Sequence, residues 1–171
     1  SSPYKSKGTS LIEILVWSLV ALVVILGAVR FYQYMSPSLK VSDAVLDVRQ
    51  SLKGVRSAYS GQGNFTGLAN AVVSSSPQML PGRMYCAGTT TFRHVFSANC
   101  GDITFASINA GTQATVTWAN VPGEVCATLA TQLLSDVTGI QVGGVDVTSV
   151  TTISAACNPA AVNTIRFAFT I

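Results

Sequence analysis

Hydrophobic positions fall into three regimes along the chain. The first is a continuous run. From Ile14 to Val29 (ILVWSLVALVVILGAV) no side chain carries a charge. Counted from Thr9, the run covers 21 residues, about 31 Å of α-helix at ~1.5 Å per residue, the thickness of a bilayer's hydrocarbon core. Only Glu13 interrupts it.

The second regime has a helical period. Val41, Val45, Val48, Leu52, Val55 and Tyr59 recur at alternating steps of four and three, which places them on one stripe of a helix. Asp43, Asp47, Arg49, Lys53 and Arg56 lie mostly off that stripe, so this segment is expected to pack on a sheet through its apolar side. Pro37 sits between the two regimes, and a proline there predicts a kink or a break. Ser60-Gly61-Gln62-Gly63-Asn64 ends the helix with turn chemistry.

The third regime is short and alternating. Met84–Ala87, Thr90–Phe96, Asp102–Ile108, Ala114–Ala119 and Thr164–Thr170 read as strands, with further β-rich stretches at Gly139–Gly144 and Val145–Ile153. A short helix is expected near Gly67–Val73. A second, about Glu124–Ser135, starts at Pro122-Gly123-Glu124 and carries Val125, Leu129 and Leu133 or Leu134 on one face. The expected fold is α+β: a long N-terminal helix, half membrane-spanning and half amphipathic, packed on an antiparallel β-sheet with a disulfide-bonded C-terminal region. The organisation read from this is a leader-like basic segment over 1–8, a long helix over 9–59 with its span at about 11–29, and a globular head over 60–171.

Composition sharpens the picture. Hydrophobic residues make up 49% and charged residues only 10%, well below an ordinary soluble domain. Seven of the ten basic residues lie before residue 60. Beyond it Arg83, Arg93 and Arg166 face Asp102, Glu124, Asp136 and Asp146, a balance of 3 − 4 = −1. No basic patch interleaved with aromatics exists, so nucleic-acid binding is not expected. Lys5 and Lys7 flank the apolar run and predict a cytoplasmic N-terminus in a membrane.

Cys86, Cys100, Cys126 and Cys157 all follow the span, and none forms a CxxC pair. No metal site and no cofactor are expected from that spacing. In an exported domain the four would oxidise. Three pairings are possible. The expected one is Cys86–Cys100 with Cys126–Cys157: the first closes a short local loop, and the second ties the late helix to the C-terminal segment. The chain-entropy model gives about 3 and about 3.7 kcal/mol for loops of that length.

Catalysis is not expected. The single histidine, His94, has no GxSxG-type elbow to serve. Gly143-Gly144 reads as a turn, not a phosphate cradle. Asp43 and Asp47, one helical turn apart, read as solvated partners of Lys40 or Arg49. Asn64-Phe65-Thr66 has the form of a glycosylation sequon and reads as a turn.

A family pattern is also present. Lys5 and Lys7, then Gly8, then Glu13 as the fifth residue after that glycine, then the apolar helix, resemble the class III signal of type IV pilins. Ser10-Leu11-Ile12-Glu13, Phe31-Tyr32-Gln33-Tyr34, and Val125-Cys126-Ala127-Thr128-Leu129-Ala130 with the late Cys157 resemble the type IVb class, including the bundle-forming and conjugative-plasmid pilins. The resemblance covers the first 60 or so residues well, and the head through its cysteine and helix landmarks.

The resemblance implies a structural subunit of an extracellular filament that serves adhesion, aggregation or conjugative mating contact. It implies a prepilin peptidase that cuts after Gly8 and methylates the amine of Thr9, where family members usually carry an apolar residue. It implies residence in the inner membrane before an assembly platform extracts the subunit into a homopolymer. Glu13 would set register by pairing with the N-terminal amine of an adjacent copy. Type II secretion pseudopilins share the N-terminal motif, as do minor tip pilins or adhesins, and both remain alternatives to a major subunit.

Overall fold

A computed structural model describes residues 10–171, apart from the side chains of residues 33–38. The first helix, α1, runs Leu11–Tyr59. The chain divides into two units between Ser38 and Leu39, and the two parts of α1 belong to different units. Helical structure is assigned through Pro37, so the break allowed there by the sequence is absent.

The second unit, Leu39–Ile171, holds all the remaining elements. In order they are α2 (Asn70–Ser74), β1 (Ile103–Ile108), β2 (Gln113–Pro122), α3 (Gly123–Leu133), β3 (Gly139–Val142), β4 (Val145–Val147), α4 (Val150–Ala156) and β5 (Val162–Phe169). The five strands form one sheet in the order β1-β2-β5-β3-β4, and every pairing is antiparallel. Alternation decides the faces. On β5, Asn163, Ile165, Phe167 and Phe169 are buried while Val162, Thr164 and Arg166 are exposed.

The core lies against the inner face. All six residues of the predicted stripe are buried there, from Val48 and Val55 at 0% exposure to Tyr59 at 5%. Trp118, Phe167, Phe169 and Phe65 fill the space between stripe and sheet, with edge-on ring contacts such as Phe65–Phe169 at 5.4 Å. Arg56 closes one end, its guanidinium 5.5 Å from the Phe169 ring centroid and its Nε donating to the Thr170 carbonyl at 2.7 Å.

A second seam runs along α1. Ala44, Asp47 and Ser51 are at most 1% exposed, and Gly54 continues the line. These positions also step by three and four, but carry small or polar side chains. They take the connector from Met79 to Met84. Asp47 receives the guanidinium of Arg83, Ser51 Oγ reaches Met84 Sδ at 3.5 Å, and the absent Cβ of Gly54 leaves room for the Met79 backbone. Asp47 is therefore not a solvated partner of Lys40 or Arg49. It is buried and bound to Arg83 at 2.7 Å, while Arg49 pairs with Asp136 at 2.8 Å.

Three stretches differ from the sequence expectation. Met84–Ala87 and Thr90–Phe96 form only isolated bridges, Tyr85 with Phe92 and Phe92 with Ile103, since Gly88, in the left-handed region at φ 71°, and the turn around it leave no length for a ladder. The second half of Val145–Ile153 is helical. Ser149 and Thr152 cap α4 reciprocally, Thr152 N–H donating to Ser149 Oγ at 3.3 Å and Ser149 N–H to Thr152 Oγ1 at 3.0 Å.

Candidate functional site

Within the first unit, Leu11–Tyr32 is long and apolar enough to cross a membrane, with a mean hydropathy of 2.7. None of that window is buried. Leu11 is 77% exposed, Trp17 69% and Ile25 62%, and the rest of the large side chains are similar. Exposure all round the helix, rather than on one face, means that the chain's own fold covers none of it. Monomeric soluble proteins rarely show apolar patches beyond a few hundred Å², and a surface of this kind is compatible with a covering of lipid or of other protein. Glu13 lies in the first turn, where a carboxylate suits the positive end of the helix dipole. Its backbone N–H donates to the Ser10 carbonyl at 2.9 Å. Gly8 and Thr9, the expected processing positions, lie outside the described residues.

In the second unit the four cysteines are brought together in two pairs, Cys86 with Cys100 and Cys126 with Cys157. The second bond fixes α3 to the end of α4, and both of its partners are buried. The first closes the loop that carries His94, and Cys100 is exposed.

His94 is 3% exposed and stacks on Trp118, with centroids 5.0 Å apart and planes 8° from parallel. Its Nε2 is 2.7 Å from the Ala119 carbonyl, while Nδ1 is buried without a protein partner, as are Asp102 Oδ2 and Trp118 Nε1. Burial lowers its pKa, opposed by the Ala119 hydrogen bond and the Asp102 charge. The imidazole is thus buried and stacked within the loop that the first disulfide closes. Asp47 shows the other buried ionisable environment. Burial raises its carboxyl pKa, and Arg83 opposes that shift. Among the described residues no cluster of three or more His, Cys, Asp or Glu side chains could hold a metal ion.

The arrangement is thus an uncovered apolar helix in one unit and a disulfide-bonded α+β head in the other. A family model described as Bundlin matches residues 33–168. The chain belongs to the bundlin family. It is a type IVb pilin, and the family role is that of a pilus subunit. The fold agrees with two crystal structures. TcpA, a type IV pilin from the El Tor biotype of Vibrio cholerae, matches with a TM-score of 0.56 at 13% identity, over 77% of this chain and 99% of that one. The type IVb pilin of Salmonella typhi matches with a TM-score of 0.55 at 15% identity, over 75% of this chain and 98% of that one. At such identities the likeness is one of fold. No curated protein matches the chain by sequence.

Proposed function

We infer that this pilin is the major structural subunit of a type IVb pilus, a homopolymer whose apolar helices pack together as the filament core. The observation that carries the reading is the complete exposure of Leu11–Tyr32. Before assembly the inner membrane covers that surface; afterwards neighbouring copies do. A prepilin peptidase cuts after Gly8 and methylates Thr9, and an assembly platform extracts the subunit from the membrane. The filament then serves adhesion, aggregation or conjugative mating contact outside the cell.

Glu13 sets the axial register by neutralising the amine of an adjacent copy in the dry core. A carboxylate left unpaired there would carry a large desolvation cost, so the pairing disfavours misregistered neighbours. Intact mass of sheared surface material tests the reading. Expected is abundant filament protein whose mass begins at Thr9, with one added methyl group and four hydrogens missing for two disulfides. Absence of the protein from the surface fraction refutes the filament role. Glu13→Ala with filament number and diameter unchanged refutes the register role.

A further inference from the structure

The loop between Cys86 and Cys100 is held by two anchors of unlike chemistry. Of the residues between the two cysteines, only Phe92 and His94 are buried. Phe92 is an apolar anchor. Its ring meets those of Tyr85 and Phe105, each at 5.5 Å, and its carbonyl accepts from Gly101 N–H at 3.0 Å. Nothing in that anchor titrates.

His94 is the other anchor, and it does titrate. It lies flat on Trp118, and its Nε2–H donates to the Ala119 carbonyl at 2.7 Å. Both partners belong to β2. Beyond it, Val95 to Asn99 make no hydrogen bond to any strand among the described residues. Ser97 N–H donates back to the His94 carbonyl at 3.1 Å, and Asn99 N–H donates to Ser97 Oγ at 3.1 Å. Val95 and Phe96 pack on the core but are only half-buried, and the Phe96 ring lies 5.8 Å from the imidazole itself. This half of the loop is therefore pinned to the sheet chiefly through one side chain.

We propose that His94 is an acid-released latch: a second proton on its imidazole frees Val95–Asn99 from β2 and uncovers the face of Trp118, while Phe92 and the Cys86–Cys100 bond keep the rest of the loop in place. The proton has one place to go. Nε2 already carries the hydrogen given to Ala119, so the incoming proton adds to Nδ1, which is buried and has no protein partner. In the closed loop that charge would stand away from water. In the open loop water solvates both it and the Ala119 carbonyl.

The surrounding charges do not reverse this. Asp102, at the foot of β1, favours the charged ring, yet burial outweighs it. One of its oxygens is already taken by Asn120 Nδ2 at 2.8 Å. Arg93, the chain neighbour, turns its Nε to the Arg83 carbonyl at 3.4 Å. On β2, Trp118, Ala119 and Asn120 carry no charge. Each opening takes up one proton, so the open fraction should grow by about tenfold per pH unit between the ordinary value and the folded one. The latch belongs to a single head and does not depend on polymerisation.

The test uses the full, untagged chain in nonionic detergent. His94 is its one histidine, so isotope-labelled histidine gives a single imidazole titration by NMR. Acrylamide, a neutral quencher, reports access to Trp118 in a Trp17→Phe background. Both are followed from about pH 7.5 to about pH 5. The imidazole should stay neutral below pH 6.5 and charge in step with a several-fold rise in quenching, with far-ultraviolet circular dichroism unchanged. His94→Gln keeps an amide N–H for the Ala119 carbonyl but has no titration, so Trp118 should stay protected throughout. If that variant fails to close the loop even at neutral pH, the parent's paired titrations decide alone. The proposal is overturned if the imidazole charges at or above its ordinary value, or if Trp118 stays protected after it has charged. It is equally overturned if a closed His94→Gln opens on the parent's pH profile, or if the whole head unfolds in the same step.

Discussion

Replacing Cys126 and Cys157 together by alanine tests how much the buried disulfide contributes to the head. The bond spans 31 residues. In the chain-entropy model a loop of that length raises the free energy of the unfolded state by about 3.7 kcal/mol. The native state adds a smaller loss, because Cys126 is 0% and Cys157 6% exposed and their sulfurs fill core volume. Against a typical total stability of about 5–15 kcal/mol, the double variant should be folded but marginal. The Cys86–Cys100 bond spans 14 residues and its removal should cost about 3 kcal/mol. Guanidinium unfolding of the full chain in detergent, followed by Trp118 fluorescence in a Trp17→Phe background, gives both numbers. Limited reduction adds an order of events: the bond with exposed Cys100 should be alkylated first, and the buried bond only as the head unfolds. A midpoint unchanged by loss of Cys126–Cys157, or prior opening of that bond, would refute the reasoning.

Gly54→Ala gains about 1 kcal/mol of helix propensity but forces a Cβ into the Met79 carbonyl group, 2.8 Å from its carbon; overpacking of about 1–3 kcal/mol should win, read as a lower thermal midpoint. Arg83→Ala strands the buried Asp47 carboxylate and should cost about 2–3 kcal/mol, below the usual range for a broken buried pair because Arg83 is half exposed; adding Asp47→Asn should recover part of it, and a fully additive pair would contradict the coupling. Burial holds the His94 pKa below its ordinary 6.5, so the unfolded chain binds more protons in the window beneath 6.5. The stabilisation is intact above 6.5 and lost as pH falls towards the folded value. His94→Gln should therefore lose less stability than the parent between about pH 7.5 and about pH 5.5; equal losses by denaturant titration would contradict this.

The elements legible in the sequence are those that a single period describes. The stripe from Val41 to Tyr59 is regular in its spacing and apolar throughout, and every member is buried. Thr164–Thr170 alternates cleanly and overlaps β5. The second seam on α1 was not legible because its members are small or polar. Ala44, Asp47, Ser51 and Gly54 gain their burial from a connector some thirty residues later, and nothing local to α1 announces it. The helix α4 was hidden by its own composition: Val150, Thr151, Thr152 and Ile153 are β-branched, and only the Ser149–Thr152 cap tips the balance. Glu13, by contrast, was legible at once, because a lone carboxylate in an apolar run stands out without any structure.

If the exposed helix passes from membrane to filament as proposed, that step need not be driven uphill. Lipid tails and the apolar side chains of neighbouring copies are similar solvents for Leu, Val and Ile, so moving Leu11–Tyr32 from one to the other gains or loses little through the hydrophobic effect itself. Packing between helices must then supply the preference for the filament, and electrostatics must supply its specificity. Glu13 is the one ionisable side chain in that window before Arg30. A carboxylate at mid-bilayer costs about 2.5–3.5 kcal/mol, and less near a helix end. At the first turn it stays close to the headgroups while the subunit is in the membrane. In a filament core that escape to the interface is gone, and the charge must find a partner on another copy. On the proposed reading, the residue that is tolerable in the membrane would become decisive in the polymer. A Glu13→Gln subunit should enter the membrane as well as the parent yet assemble with weaker register, measured as normal membrane levels alongside fewer filaments; equal loss from both pools would place its role in insertion instead.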